Sequence, residues 1–261
     1  MKFLALCAVL IGTTLATSGL AHAKMITKTV DYQQGGDTLE GYLAYNDKFP
    51  GKRPGVLVAH QWMGLTDYEK ERARTLAEMG YVAFALDIYG KGVRPKSRDE
   101  AGKLSGMYKN NRPLWRNRAR AAVITLRKEP KVDVNRLAII GYCFGGGTAL
   151  ELARSGADLD GFVSFHGSLD TPTPEDAKNI QGKVLVLHGA DDPYSPLKQV
   201  LALMDEMKAA KVNYEVDLYG DTVHSFTEKD AGNDNSTGAA YNAQADARSW
   251  ARMKAFFGEI L

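Results

Sequence analysis

Cys143 stands in Gly141-Tyr142-Cys143-Phe144-Gly145-Gly146, a thiol with glycines close on both sides. The apolar Leu137-Ala138-Ile139-Ile140 precedes it, and the helix-forming Thr148-Ala149-Leu150-Glu151-Leu152 follows. Strand, sharp turn, then helix is the context of a nucleophile elbow, in which neighbouring backbones approach too closely for side chains. The free N–H groups of a helix start favour a thiolate there, and later an oxyanion. Two partners for such a nucleophile lie downstream. Asp191 and Asp192 sit in a turn after the apolar Val184–His188, and His224 follows Tyr214–Tyr219 in a loop. A histidine can take the thiol proton while a carboxylate fixes its tautomer, which is the chemistry of acyl transfer. An inert buried cysteine in a glycine-rich turn is the plainer alternative. Three such groups, each just beyond a buried strand, argue against it.

These residues need strands and helices to hold them. Thr29–Tyr45 reads as a hairpin about Gln34-Gly35-Gly36-Asp37. Further strands are expected at Pro54–His60, Tyr81–Ile88, Arg136–Gly141, Gly161–His166, Val184–His188 and Tyr214–Tyr219. Helices are expected at Asp67–Met79, Pro113–Lys128, after Gly145, at Pro196–Ala210 and at Tyr241–Phe257. Gly90–Asn111 reads as an irregular basic loop containing a short helix. Alternation of strands and helices, with nearly continuous apolar strands, implies an α/β fold with a mostly parallel sheet covered on both faces. Sites in such sheets form at the carboxyl ends of the strands.

The N-terminus reads as an export signal. Lys2 precedes an apolar run from Phe3 that weakens toward Leu20, and Ala21-His22-Ala23 supplies small residues for cleavage. Gly12, Thr13, Thr14, Thr17 and Ser18 interrupt the run, which makes it a poor permanent anchor. The expectation is a signal peptide at 1–23, one domain at 24–261 and a periplasmic location. Of the two cysteines, Cys7 leaves with the signal, so the mature chain keeps one thiol and no internal disulfide. Roughly 240 residues bury an adequate core without one. The formal net charge is +2, and the basic cluster Arg112–Arg120 is interrupted by Leu114, Trp115 and Ala119. That cluster reads as a solvated helix face, not a nucleic-acid surface.

Taken together, the motifs resemble the dienelactone hydrolase family of the α/β-hydrolase superfamily. The similarity runs from about Gly41 to the C-terminus, through Val58-Ala59-His60-Gln61-Trp62-Met63-Gly64, Asp87-Ile88-Tyr89-Gly90, the Cys143 elbow, the Asp192 turn, His224-Ser225-Phe226 and the Ala240–Trp250 stretch. Cysteine in the elbow is its most specific feature. The resemblance implies hydrolysis of a small ester or lactone by Cys143, Asp192 and His224, with no metal or organic cofactor. It also selects Asp192 over Asp191, because the family's acid lies three residues after the glycine. Backbone N–H groups of Trp62 and Phe144 are the expected oxyanion donors. Two positions depart from the family. A glutamate of its well-known members is replaced by Gln61, and its substrate-carboxylate arginine aligns with Glu228. Both are candidate pocket residues, and Glu228 would repel an anionic lactone.

Other readings weigh less. His60, His166 and His188 fall near strand ends, but nothing in their spacing resembles a ligand set, and structural roles are expected. A thiol-redox role lacks a C-x-x-C or a resolving cysteine. A binding protein that kept the fold and lost turnover is the third class, favoured by Gln61 and Glu228. Trp62, Trp115 and Trp250 are expected in the core or the pocket wall.

Overall fold

The computed structural model describes residues 24–261, and the expected signal segment with Cys7 lies outside the described residues. An antiparallel hairpin, β1 (Met25–Gln34) and β2 (Asp37–Asn46), opens the described residues. Gly35 takes a positive φ of 60° in its two-residue turn, as hairpin geometry requires. Six strands follow: β3 (Arg53–Ala59), β4 (Val82–Leu86), β5 (Val132–Tyr142), β6 (Gly161–Phe165), β7 (Lys183–Gly189) and β8 (Tyr214–Tyr219). The helices are α1 (Asp67–Glu78), α2 (Arg98–Lys109), α3 (Arg112–Arg127), α4 (Phe144–Arg154), α5 (Leu197–Ala209) and α6 (Ala243–Ile260).

All eight strands form one sheet in the order β1-β2-β4-β3-β5-β6-β7-β8. From β4 to β8 neighbouring strands run parallel, whereas β2 meets β4 antiparallel. This is the expected α/β-hydrolase architecture. Leu57, Leu137, Ile139, Val184 and Val186 pack with α3, α4 and α5 on one face. Val56, Val58, Ala138, Ile140, Leu185 and Leu187 pack with α1 and α6 on the other. The near-continuous apolar strands are therefore explained by burial on both sides. After β3 the chain crosses to β4 on one side, and it returns to β5 on the other. The loops leaving β3 and β5 diverge there, at the place where sheets of this kind form their sites.

Two expectations need correction. The Gly90–Asn111 stretch contains a full helix, α2, capped by Ser97 accepting from the Glu100 N–H at 3.2 Å. The Arg112–Arg120 cluster is not a solvated face. Arg112 and Arg116 both donate to buried Glu151, at 3.1 and 2.8 Å, and Arg118 pairs with Asp37. Glu151 is shared with Arg154, which is 0% exposed and grips both carboxylate oxygens of Glu206 at 2.7 and 2.8 Å. One buried charge network thus binds α3, α4 and α5. No helix among the described residues is long and apolar enough to cross a membrane.

Candidate active site

Cys143 is the residue between β5 and α4, half-buried, with φ 55° and ψ −116°. A left-handed backbone at a non-glycine residue costs on the order of 1–3 kcal/mol and persists only where packing enforces it. Here it is enforced from both sides. A Cβ on Gly141 would sit 1.9 Å from the Gly145 carbonyl oxygen, and one on Gly145 would sit 2.1 Å from the Ala59 carbonyl oxygen. The elbow therefore nests directly against β3, and Cys143 is pushed out of the turn.

Asp192 follows β7 and is 2% exposed. Its Oδ1 accepts from the backbone N–H groups of Tyr194 and Ser195, at 2.8 and 3.1 Å. Its Oδ2 accepts from His224 Nδ1 at 2.7 Å. Asp191 is exposed, and its backbone N–H is spent on the Thr222 carbonyl. With Nδ1 engaged, His224 turns its other nitrogen to the Cys143 sulfur. Burial alone would lower the His224 pKa, but the thiolate and Asp192 outweigh it and push it up to about 10. Burial alone would raise the Cys143 thiol; the charge and hydrogen bond of His224, the Phe144 N–H and the Lys109 ammonium bring it below its ordinary value. For Asp192, too, burial opposes ionisation, and the His224 contact more than offsets it, leaving the carboxyl low. His224 thus stands between Cys143 and Asp192 and favours negative charge on both. The His224 loop is stapled in place, since His224 N–H donates to Gly238 and Ala240 N–H returns to the His224 carbonyl. The exposed Tyr194 lies edge-on to the His224 ring at 5.3 Å.

Phe144 begins α4, and its N–H faces the sulfur. Its ring stacks on Trp115 at 4.6 Å with a 6° interplanar angle, and on His60 at 5.8 Å. Trp62 lies half-buried in the loop after β3, with its carbonyl taking the Tyr89 hydroxyl at 2.9 Å. Among the described residues its N–H meets no protein acceptor. The expected oxyanion donors thus come from the start of α4 and from the loop after β3.

Gln61 and Glu228 are partners of each other. Gln61 Nε2 donates to Glu228 Oε2 at 2.7 Å, joining the β3 loop to the His224 loop. Burial raises the Glu228 pKa, only partly countered by the Gln61 amide, and Glu69 and Asp230 raise it further. Of the remaining histidines, His166 lies edge-on to the His224 ring at 5.2 Å and His188 Nε2 is 3.9 Å from Asp192 Oδ2, whereas His60 stands behind the elbow. His60 bonds Gln61 and Ile88, His166 Nε2 meets Thr227 Oγ1 at 2.8 Å, and His188 Nε2 donates to the Ser195 carbonyl at 2.8 Å. Among the described residues no three His, Cys, Asp or Glu side chains are placed to hold a metal ion.

Sequence reasoning missed three residues of the site. Glu69, fully buried, closes the Thr66 capping box and also accepts the Gln61 N–H at 3.1 Å. The Thr66-x-x-Glu69 spacing was the available signal. Lys109 and Tyr194 had no signal, because their approach to the thiol and the histidine depends on loop paths.

The profile of the Dienelactone hydrolase family matches residues 39–261. Among solved structures, m3DLH is 41% identical, superposes with a TM-score of 0.87, and is matched over 91% of this chain and 99% of its own. A dienelactone hydrolase-like promiscuous phosphotriesterase from metagenomic libraries is 42% identical, with a TM-score of 0.84, over 90% of this chain and 98% of its own. A protein of Saccharolobus solfataricus named "Putative carboxymethylenebutenolidase" is 25% identical over 89% of this chain and 98% of its own. The elbow on a mostly parallel eight-stranded sheet, matched along nearly the whole described chain, places the protein in the dienelactone hydrolase family, as a hydrolase.

Proposed function

We propose that the protein hydrolyses a small, uncharged carboxylic ester or lactone through a thioacyl-enzyme on Cys143. The observation that carries this reading is the aligned set of groups, with His224 held at 2.7 Å by Asp192 and turned toward the sulfur. The thiolate attacks the acyl carbon, and the carbonyl pair moves onto oxygen between the N–H groups of Trp62 and Phe144. As the intermediate collapses, His224 gives its proton to the leaving alkoxide, and a thioester remains. The now neutral His224 takes a proton from water, and the resulting hydroxide attacks the thioester. The thiolate departs and the ion pair is restored. Asp192 keeps the imidazole in the Nδ1–H tautomer throughout.

Glu228 supports the preference for uncharged substrates. No cation pairs with it within 4 Å among the described residues, and its only side-chain tie is to a neutral amide. The decisive experiment compares wild type with Cys143→Ala on an aryl acetate and on neutral and anionic lactones. Wild type is expected to turn over the neutral substrates in a burst followed by a slower steady state, and the variant to lose both. Undiminished turnover by Cys143→Ala would sink the mechanism. The metagenomic relative is named as a promiscuous phosphotriesterase, so an aryl dialkyl phosphate is a useful further member of the panel.

We also propose export to the periplasm with cleavage after Ala23. N-terminal sequencing of the secreted protein should begin at Lys24, and a retained Met1 would overturn the proposal.

A further inference from the structure

His60 lies at the carboxyl end of β3, 0% exposed, and takes no part in the chemistry above. Its two nitrogens are both committed. Nε2 accepts the Ile88 N–H at 3.1 Å, so the proton sits on Nδ1, which donates to the Gln61 carbonyl at 2.6 Å. Burial lowers its pKa, against smaller opposing effects from Asp87 and Glu69, and the ring is neutral.

The Gln61 carbonyl and the Trp62 N–H belong to one peptide group. That group is planar and trans, so the direction of its C=O fixes the opposite direction of its N–H. The carbonyl accepts from His60 and, at 3.1 Å, from the Gly64 N–H, and these two bonds together aim the N–H that receives the oxyanion. Glu69 holds the preceding N–H of Gln61 at 3.1 Å, and Glu228 holds its side chain, so the loop is pinned on either side of the aimed peptide. The same imidazole stacks on the Phe144 ring at 5.8 Å and a 25° interplanar angle. Phe144 supplies the second oxyanion donor. One buried ring thus touches the peptide that carries one donor and the residue that supplies the other.

We propose that His60 is a positioning residue for the oxyanion hole, acting through the Gln61–Trp62 peptide. The neutral Nδ1–H tautomer is the required form, because a proton on Nε2 would break the Ile88 bond and release the ring. This inference rests on the proposed use of the Trp62 N–H, and its test is separable from the test of Cys143.

Three readouts on the full mature protein decide it. His60→Phe keeps a ring against Phe144 but has no donor for Gln61, whereas His60→Gln keeps a donor and an acceptor at similar reach. His60→Phe is expected to lose ~10²-fold in kcat on an aryl acetate with KM little changed, comparable to loss of an oxyanion donor. His60→Gln is expected to recover most of it. A trifluoromethyl ketone, which adds the Cys143 sulfur to its carbonyl and leaves an oxyanion, should bind His60→Phe ~10²-fold more weakly. Alkylation of Cys143 by iodoacetamide needs no oxyanion hole and should keep its wild-type rate. Unchanged kcat and ketone affinity in His60→Phe would overturn the proposal, as would a parallel loss of alkylation, which indicates a disturbed site. Should His60→Phe fail to fold, nitrogen-15 spectra of wild type still decide, since an Nε2–H or doubly protonated His60 in the ketone complex excludes the role. Loss of this role with Cys143-dependent turnover intact leaves the hydrolytic mechanism standing.

Discussion

At the scale of single residues, the proposed mechanism turns on a proton shared between Cys143 and His224. The thiol lies below its ordinary value and His224 is raised to about 10, so each favours the charged form of the other in the window between them. On an ester substrate, kcat/KM is expected to form a plateau across that window. It should fall in acid as the sulfur takes a proton, and again near about 10 as His224 loses the proton owed to the leaving group. Asp192→Asn removes the carboxylate that helps raise His224, and should move the alkaline limb to lower pH while cutting kcat by ~10²–10⁴-fold. A stationary alkaline limb in that variant would show that another group sets it. Cys143, the paired acid and His224 were legible because each follows an apolar strand that the sequence displays. The choice between Asp191 and Asp192 came from family resemblance, and the structure brings Asp192 to His224. The Gln61–Glu228 bond was not legible. Its partners are 167 residues apart, and neither type announces a contact with the other.

At the scale of elements, the elbow depends on how closely α4 can approach β3. Gly145→Ala sets a methyl 2.1 Å from the Ala59 carbonyl oxygen, a backbone atom that cannot turn aside. The variant is expected to lose at least ~1–3 kcal/mol of stability by urea denaturation, with activity lost as well. Gly258→Ala, in α6 where a new methyl meets nothing within 4 Å, is the matched control and should gain ~0.5–1 kcal/mol. Equal effects at the two sites would refute the close-approach argument. The buried strands and most helices could be read from the sequence because burial on both faces leaves long apolar runs. Helix α2 was legible only as a short helix inside a loop, because Gly102 and Gly106 interrupt its periodicity. Its start was nevertheless written in Ser97 and Glu100, the same Ser-x-x-Glu pattern that caps helices generally.

Across the whole molecule, three helices are tied by charges that the sequence presented as a surface. Arg154→Met leaves the Glu206 carboxylate buried without its guanidinium, and is expected to cost ~3–5 kcal/mol. Adding Glu206→Leu should restore a large part of that loss, and additive losses in the double variant would contradict the pairing. This network lies behind α4, whereas α2 stands on the other side of the elbow with a lighter attachment. Its glycines at 102 and 106 face open space, yet Lys109 at its last turn reaches the thiol with its field. Its inner face is fixed by Tyr108, 2% exposed against Tyr89 and Phe144, so only its outer face is free to vary. Substitutions beside Lys109 can retune the charge felt by the thiol, in nature or at the bench, without renegotiating the stability of the sheet.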